Sequence, residues 1–203
     1  TVMAVHNHYP QAAVMTGLPD ESFIRADIPM TKREIRASVV SRLSPAKDAI
    51  VYDIGAGTGS VSVELAMHAL YGTVYAIERT KEGCELIAQN ARKFGLDNID
   101  IINASAADVI EKLPAADSVF IGGSGGELEK IMDIVLKKNP GVHIVITAVT
   151  LETLNDSVRL MEDKKVDVID IVQIAVTQIK KRGRYHMLAA NNPVFIIEGR
   201  GNR

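Results

Sequence analysis

The chain has no tryptophan, five tyrosines and four phenylalanines. That is too few platforms for base stacking to organise an extended nucleic-acid surface. Its one cysteine, Cys84, excludes an intramolecular disulfide, and no cysteine and histidine set has zinc spacing. A reducing cytoplasm is the compartment expected. No apolar run reaches the roughly 20 residues of a membrane-spanning helix, and the start lacks a charged stretch followed by an apolar one. The sequence therefore predicts neither anchor nor signal peptide. Neither sign of charge dominates: 23 Lys and Arg against 25 Asp and Glu leave a net charge of -2. A polyanionic partner would have to be met by local patches, and no nucleic-acid partner is expected.

What is present is a regular alternation. The length, 203 residues, suits one α/β domain with its own core. Residues 1–16, with His6-Asn7-His8 and no sustained period, read as a poorly ordered terminus, because two histidines without a third ligand do not make a metal site. Residues 17–203 read as a single domain. Over 31–43, apolar Ile35, Val39 and Val40 fall at helical spacing, with Thr31 and Glu34 placed as a capping box. Strands over 50–54, 73–78, 99–103, 117–122 and 142–147 then alternate with helices over 59–70, 80–94, 106–112, 126–138 and 150–163. Such alternation implies a parallel sheet with helices on both faces. The β-rich runs 166–179 and 193–198 break the rhythm and are expected to pair antiparallel at one edge.

The first strand runs into a turn, Val51-Tyr52-Asp53-Ile54-Gly55-Ala56-Gly57-Thr58-Gly59. Glycines at alternate positions let a ligand approach the backbone, and the helix that follows offers free N–H groups and its positive dipole end. A dinucleotide fingerprint needs glycine where Ser60 stands, so the spacing is GxGxG. It looks like motif I of the S-adenosylmethionine-dependent methyltransferases with a Rossmann-like sheet, which makes Gly55, Ala56, Gly57, Thr58 and Gly59 candidate contacts to that cofactor. Glu78, at the end of the second strand, is placed to accept the ribose hydroxyls of an adenosine ligand. Asp53 is placed to meet the ammonium of the methionine part or to bond the turn. After the third strand, Ser105 and Ala106 stand where related enzymes read adenine. Asp108 stands at the start of the helix there. After the fourth strand, Gly122, Gly123, Ser124, Gly125 and Gly126 leave room for a bulky substrate, and the helix beyond them offers N–H groups to a carboxylate.

These motifs, with Pro29-Met30-Thr31-Lys32, Tyr75-Ala76-Ile77-Glu78, the 122–128 block, Thr147-Ala148, Leu151-Glu152-Thr153 and Asn192-Pro193-Val194, resemble the decarboxylating cobalt-precorrin-6B methyltransferases of cobalamin biosynthesis over residues 17–199. The resemblance implies a class I methyltransferase fold, a mostly parallel seven-stranded sheet with an antiparallel C-terminal edge. It also implies methylation of a cobalt-precorrin or precorrin at carbon 15, decarboxylation of the ring C acetate, and a homotetramer. It places Thr31, residues 55–59, Glu78 and Ala106 at the donor.

A tetrapyrrole with many carboxylates calls for local cations. Lys180-Lys181-Arg182-Gly183-Arg184 is the densest group, with Arg182 and Arg184 as candidate substrate contacts on a loop; Arg25, Lys32 and Arg33 form a second. Tyr185 and His186 are candidate proton donors for the decarboxylation. Two rivals keep the same pocket: a tRNA or rRNA methyltransferase, and a non-catalytic adenosine-ligand binding module. A nicotinamide dehydrogenase is disfavoured by Ser60.

Overall fold

The computed structural model describes residues 16–202. The expectation for residues 1–16, His6 and His8 included, falls outside them except at Thr16. Apolar runs and helical repeats resolve in chain order into α1 (Arg33–Leu43), β1 (Ile50–Ile54), α2 (Ser60–His68), β2 (Thr73–Glu78), α3 (Lys81–Lys93), β3 (Ile99–Asn103), α4 (Ala106–Val109), β4 (Ser118–Ile121), α5 (Leu128–Lys138), β5 (His143–Ala148) and α6 (Leu151–Asp163). The tail adds β6 (Val166–Ile174), β7 (Thr177–Arg182), β8 (Tyr185–Ala190) and β9 (Val194–Gly201). Seven strands form one sheet in the order β3-β2-β1-β4-β5-β9-β6. β1 to β5 pair in parallel, and β9 runs antiparallel between β5 and β6. This is the class I methyltransferase architecture expected, with its antiparallel C-terminal edge.

Strand pleating sends alternate residues of β1 to opposite faces. Tyr52 and Ile54 join a core with α5 and α6 that includes Ile131, Met132, Leu160 and Met161, while Val51 joins the α1 and α2 side with Val39, Val40, Val61 and Leu65. β1 is buried on both faces, as a central parallel strand requires.

Two expectations need correction. The capping box of Thr31 and Glu34 does not form: α1 starts at Arg33, and its N-cap Lys32 makes no side-chain bond. Arg36 reaches back and donates to the Thr31 carbonyl (2.6 Å) instead. The segment 166–179 is not one strand, because the chain leaves the sheet after Ile174 and forms a separate β7–β8 hairpin. Gly183, at φ +60°, opens its two-residue turn between Arg182 and Tyr185.

A strap, residues 17–32, precedes α1 and is fastened by a buried ion pair. The Arg36 guanidinium, fully buried, donates to Glu64, Asp20, Thr31 O and Leu18 O and lies 4.5 Å from the centre of the Phe23 ring. Glu64, also fully buried, accepts from the Gly17 and Leu18 N–H groups (2.7 and 3.0 Å).

Candidate functional site

In an open α/β sheet the ligand crevice lies beyond the carboxyl ends of the strands where strand order reverses. Here β1 lies between β2 and β4, and a cavity of about 320 Å³ opens at that point. Ile54, Gly55 and Gly57 line it after β1, and Ile77, Glu78, Arg79 and Thr80 after β2. Ala104, Ser105 and Ala106 follow β3, Gly123, Ser124 and Gly125 follow β4, and Asp27, Ile28 and Pro29 of the strap close the last side. Of the residues singled out from the sequence, the fold thus brings Gly55, Gly57, Glu78, Ser105, Ala106, Gly123, Ser124 and Gly125 together. Ala56, Thr58, Gly59, Gly122 and Gly126 belong to the same turns without lining the cavity.

The turn glycines serve the protein's own packing. Gly55, at φ +73°, lies so close to the next loop that a Cβ there would stand 2.6 Å from the Gly123 carbonyl oxygen. At Gly57 a Cβ would meet Pro29 O at 3.1 Å, and at Gly59 it would meet Ile87 at 3.0 Å. The expectation that these positions clear space for a ligand is therefore amended. They let three backbone segments converge, and the cavity is what remains between them. A Cβ on Gly123, by contrast, would enter open space.

Glu78 is organised before any ligand arrives. Its Oε2 accepts from the Gly57 N–H (3.0 Å), and its Oε1 accepts from the Thr80 N–H and hydroxyl (both 2.9 Å). Gly83 allows this arrangement, since a Cβ there would lie 2.6 Å from Glu78 Cγ. A carboxylate has about four acceptor positions. One therefore remains on Oε2 for a ligand hydroxyl, and the second hydroxyl that the sequence reading assigned to Glu78 requires the rotatable Thr80 hydroxyl to yield.

Asp53 does not line the cavity. It points to the α2 side of the sheet, is fully buried, and accepts from the Ser62 hydroxyl, leaving Oδ1 without a partner among the described residues. Burial pushes its pKa up to about 7, with Glu78 adding to the rise and the Ser62 bonds opposing it. An acid whose folded pKa is raised binds its proton more tightly in the native state, so its contribution to stability falls as pH climbs from about 4 to about 7. Asp53→Asn should remove that slope. Denaturant unfolding at about pH 5 and about pH 8 should show the variant gaining about 2–3 kcal/mol on the parent at the higher pH. An equal difference at both would disprove the buried-acid reading.

Thr31 lies outside the cavity, at the α1 end of the strap. The Ser105 hydroxyl donates to Glu127, immediately before α5. That carboxylate opposes the reading of α5's N-terminus as a carboxylate site. Arg79, which the sequence reading passed over, extends its guanidinium over Gly125 and makes no ion pair among the described residues. Its signal was its position directly after Glu78 at a strand end.

The hairpin carries Arg182, Arg184, Tyr185 and His186 away from these elements. None lines the cavity, and all four are exposed. Tyr185 and His186 pair across the ribbon with Arg182 and Lys181, and Arg184 donates to the Tyr185 hydroxyl (2.7 Å). The two candidate proton donors are thus not brought to the cavity, and the basic loop is a strand-turn-strand. Among the described residues no helix is long and apolar enough to cross a membrane.

The chain matches the model of a precorrin methyltransferase domain over residues 22–199. It is 36% identical to the cobalt-precorrin-6B C(15)-methyltransferase (decarboxylating) of Salmonella typhimurium over 182 residues, 89% of this chain and 94% of that protein. Two solved structures have the same fold. A precorrin-6y C5,15-methyltransferase from Geobacter metallireducens superposes with a TM-score of 0.85 at 36% identity, covering 96% of this chain and all of that one. A precorrin 8w decarboxylase from Methanobacterium thermoautotrophicum superposes with a TM-score of 0.84 at 33% identity, covering 90% and 98%.

Proposed function

This chain belongs to the precorrin methyltransferase family, and from that premise we propose that it methylates cobalt-precorrin-6B, or the cobalt-free precorrin, at carbon 15 and removes the ring C acetate carboxyl as carbon dioxide in cobalamin biosynthesis. The observation that carries this reading is the convergence of the ends of β1, β2, β3 and β4 on one cavity, inside a segment that matches the family from residue 22 to 199. We place the reaction in a reducing cytoplasm, a compartment that suits a chain with one cysteine, Cys84.

The donor is S-adenosylmethionine. Gly55 and Gly57 present their backbone to it, with Ala56, Thr58 and Gly59 completing the turn behind them, Glu78 takes the ribose, and Ser105 with Ala106 reads the adenine edge. The fit rests on Glu78, already oriented by Gly57 and Thr80 with an acceptor position open. Asp53 and Thr31 act at one remove, Asp53 beneath the turn and Thr31 through the strap. When bound, S-adenosylmethionine supplies a methyl group already activated on a sulfonium. The chain's work is then to align the acceptor carbon and exclude water. Loss of carbon dioxide leaves a bonding pair on the conjugated macrocycle and calls for a proton. Cavity-wall groups able to hold one are Asp27, Thr80, Ser105 and Ser124.

The macrocycle lies at the mouth, beside the 122–126 loop. Arg25 and Lys32 line an open concavity of about 620 Å³ that shares Asp27, Ile28 and Pro29 with the donor cavity. With Arg79 they supply cations for the substrate's carboxylates. The hairpin exposes Ile179 (67%) and Leu188 (75%), and a lone two-stranded ribbon is marginally stable in water. Assembly of copies through it, as a homotetramer, covers these residues and carries Arg182 and Arg184 toward an adjoining copy's mouth.

Arg182→Ala combined with Arg184→Ala should then raise the tetrapyrrole KM about 3–10-fold, more at low salt, with donor affinity unchanged. Loss of donor binding instead would make the hairpin structural. The reading as a whole is tested by S-adenosylhomocysteine release. Release with the tetrapyrrole and none with tRNA or rRNA is expected. Release with RNA alone would move the chain to the nucleic-acid methyltransferases, and donor binding without release from either would make it a binding module.

A further inference from the structure

A polar side chain is fully buried on the inward face of α3, among Gly83, Leu86, Ile87 and Ala91, where an apolar residue would serve packing alone. It is Asn90. Its Oδ1 accepts from the Ile24 N–H (2.7 Å), and its Nδ2 donates both to the Ile24 carbonyl and to the Thr58 carbonyl (2.9 Å each). Ile24 belongs to the strap. Thr58 lies in the glycine turn between Gly57 and Gly59, both at positive φ. One amide thus joins the strap to the turn.

At the other end of the strap Arg36 donates to Thr31 O, and it also holds Leu18 O. The two buried side chains therefore bracket Asp27, Ile28 and Pro29, the strap residues that wall the cavity. These are the residues pressed on the turn, since a Cβ on Gly57 would stand 3.1 Å from Pro29 O and 3.7 Å from Ile28 Cγ2. Among the described residues, none from Arg25 to Met30 makes a backbone–backbone hydrogen bond. The position of this wall depends on its two ends.

We infer that Asn90, with Arg36, is a positioning residue for the methyl donor, fixing the strap against the glycine turn so that Asp27, Ile28 and Pro29 form one wall of its site. This role rests on the cavity being the donor site. A side chain serving fold stability alone would lower the unfolding midpoint and leave the affinity of the folded protein untouched. A positioning residue alters affinity in protein that is still folded.

The test uses two variants and S-adenosylhomocysteine as the probe. Asn90→Ala removes all three bonds. Of the three bonds Ile24→Pro removes only the one from the strap's N–H, at an exposed position where the side-chain change is mild, preceded by Phe23, whose extended backbone (φ -99°, ψ 142°) accepts a following proline. If Asn90→Ala does not fold, the proline variant alone decides. Well below the unfolding midpoint, calorimetry should show binding weakened about tenfold, as expected when buried backbone groups lose their partners. Trypsin should cleave after Arg25 faster than in the parent, and saturating S-adenosylhomocysteine should slow that cleavage. Parent-like affinity in a folded variant would overturn the role. Absence of binding in the unaltered protein would overturn the donor reading itself, and the role with it.

Discussion

Gly55→Ala should abolish measurable donor binding and lower the unfolding midpoint by roughly 6–12 °C, from a cost of about 3 kcal/mol in a chain of this size. Two causes add. The residue holds φ +73°, where a side chain is strained, and the added Cβ would overlap the Gly123 carbonyl oxygen at 2.6 Å and nitrogen at 2.8 Å. Both obstacles are backbone, so no rotamer change relieves them. The turn after β1 and the loop after β4 must separate, and the cavity lies between them. Gly123→Ala is the control, because its Cβ enters open space. That variant should unfold with the parent. If Gly55→Ala melts with the parent and binds donor normally, the cavity between these loops is not the donor site.

Glu78→Ala should weaken donor binding by about 1–3 kcal/mol, roughly 5–150-fold in Kd. On the proposed reading the ribose loses a charged acceptor, and the Gly57 and Thr80 N–H groups lose theirs. The glycine turn thus loosens together with the proposed contact. Glu78→Gln keeps one acceptor oxygen and should fall between variant and parent. Unchanged affinity by calorimetry would remove the ribose assignment.

The elements that frame this site were legible because each announces itself locally. Val51 to Ile54 is a buried apolar run broken only by Asp53, and the glycines that follow mark a sharp corner. Glu78 ends a strand whose alternation with helices sets the whole parallel half. What was hidden depends on partners far along the chain. Arg36 meets Glu64 across 28 residues and Asn90 meets Ile24 across 66, and no periodicity registers such pairs. Thr31 and Glu34 had the spacing of a capping box, yet a tertiary bond from Arg36 to the Thr31 carbonyl took precedence. The glycines were found for a reason that proved incomplete, since contact with Gly123, Pro29 and Ile87 is invisible in one dimension. The hairpin was missed because its faces are exposed alike, which erases the alternation by which a half-buried strand is recognised; only Gly183-Arg184 marked the turn.

One measurement bears most directly on the proposed activity. The protein is incubated with cobalt-precorrin-6B and S-adenosylmethionine carrying a labelled methyl group, and the tetrapyrrole is analysed by mass. The expected product has gained one labelled methyl group and lost one carbon dioxide, with one S-adenosylhomocysteine formed for each methyl transferred. A tetrapyrrole recovered unaltered, with or without its cobalt, by protein that binds the donor would contradict the proposed reaction.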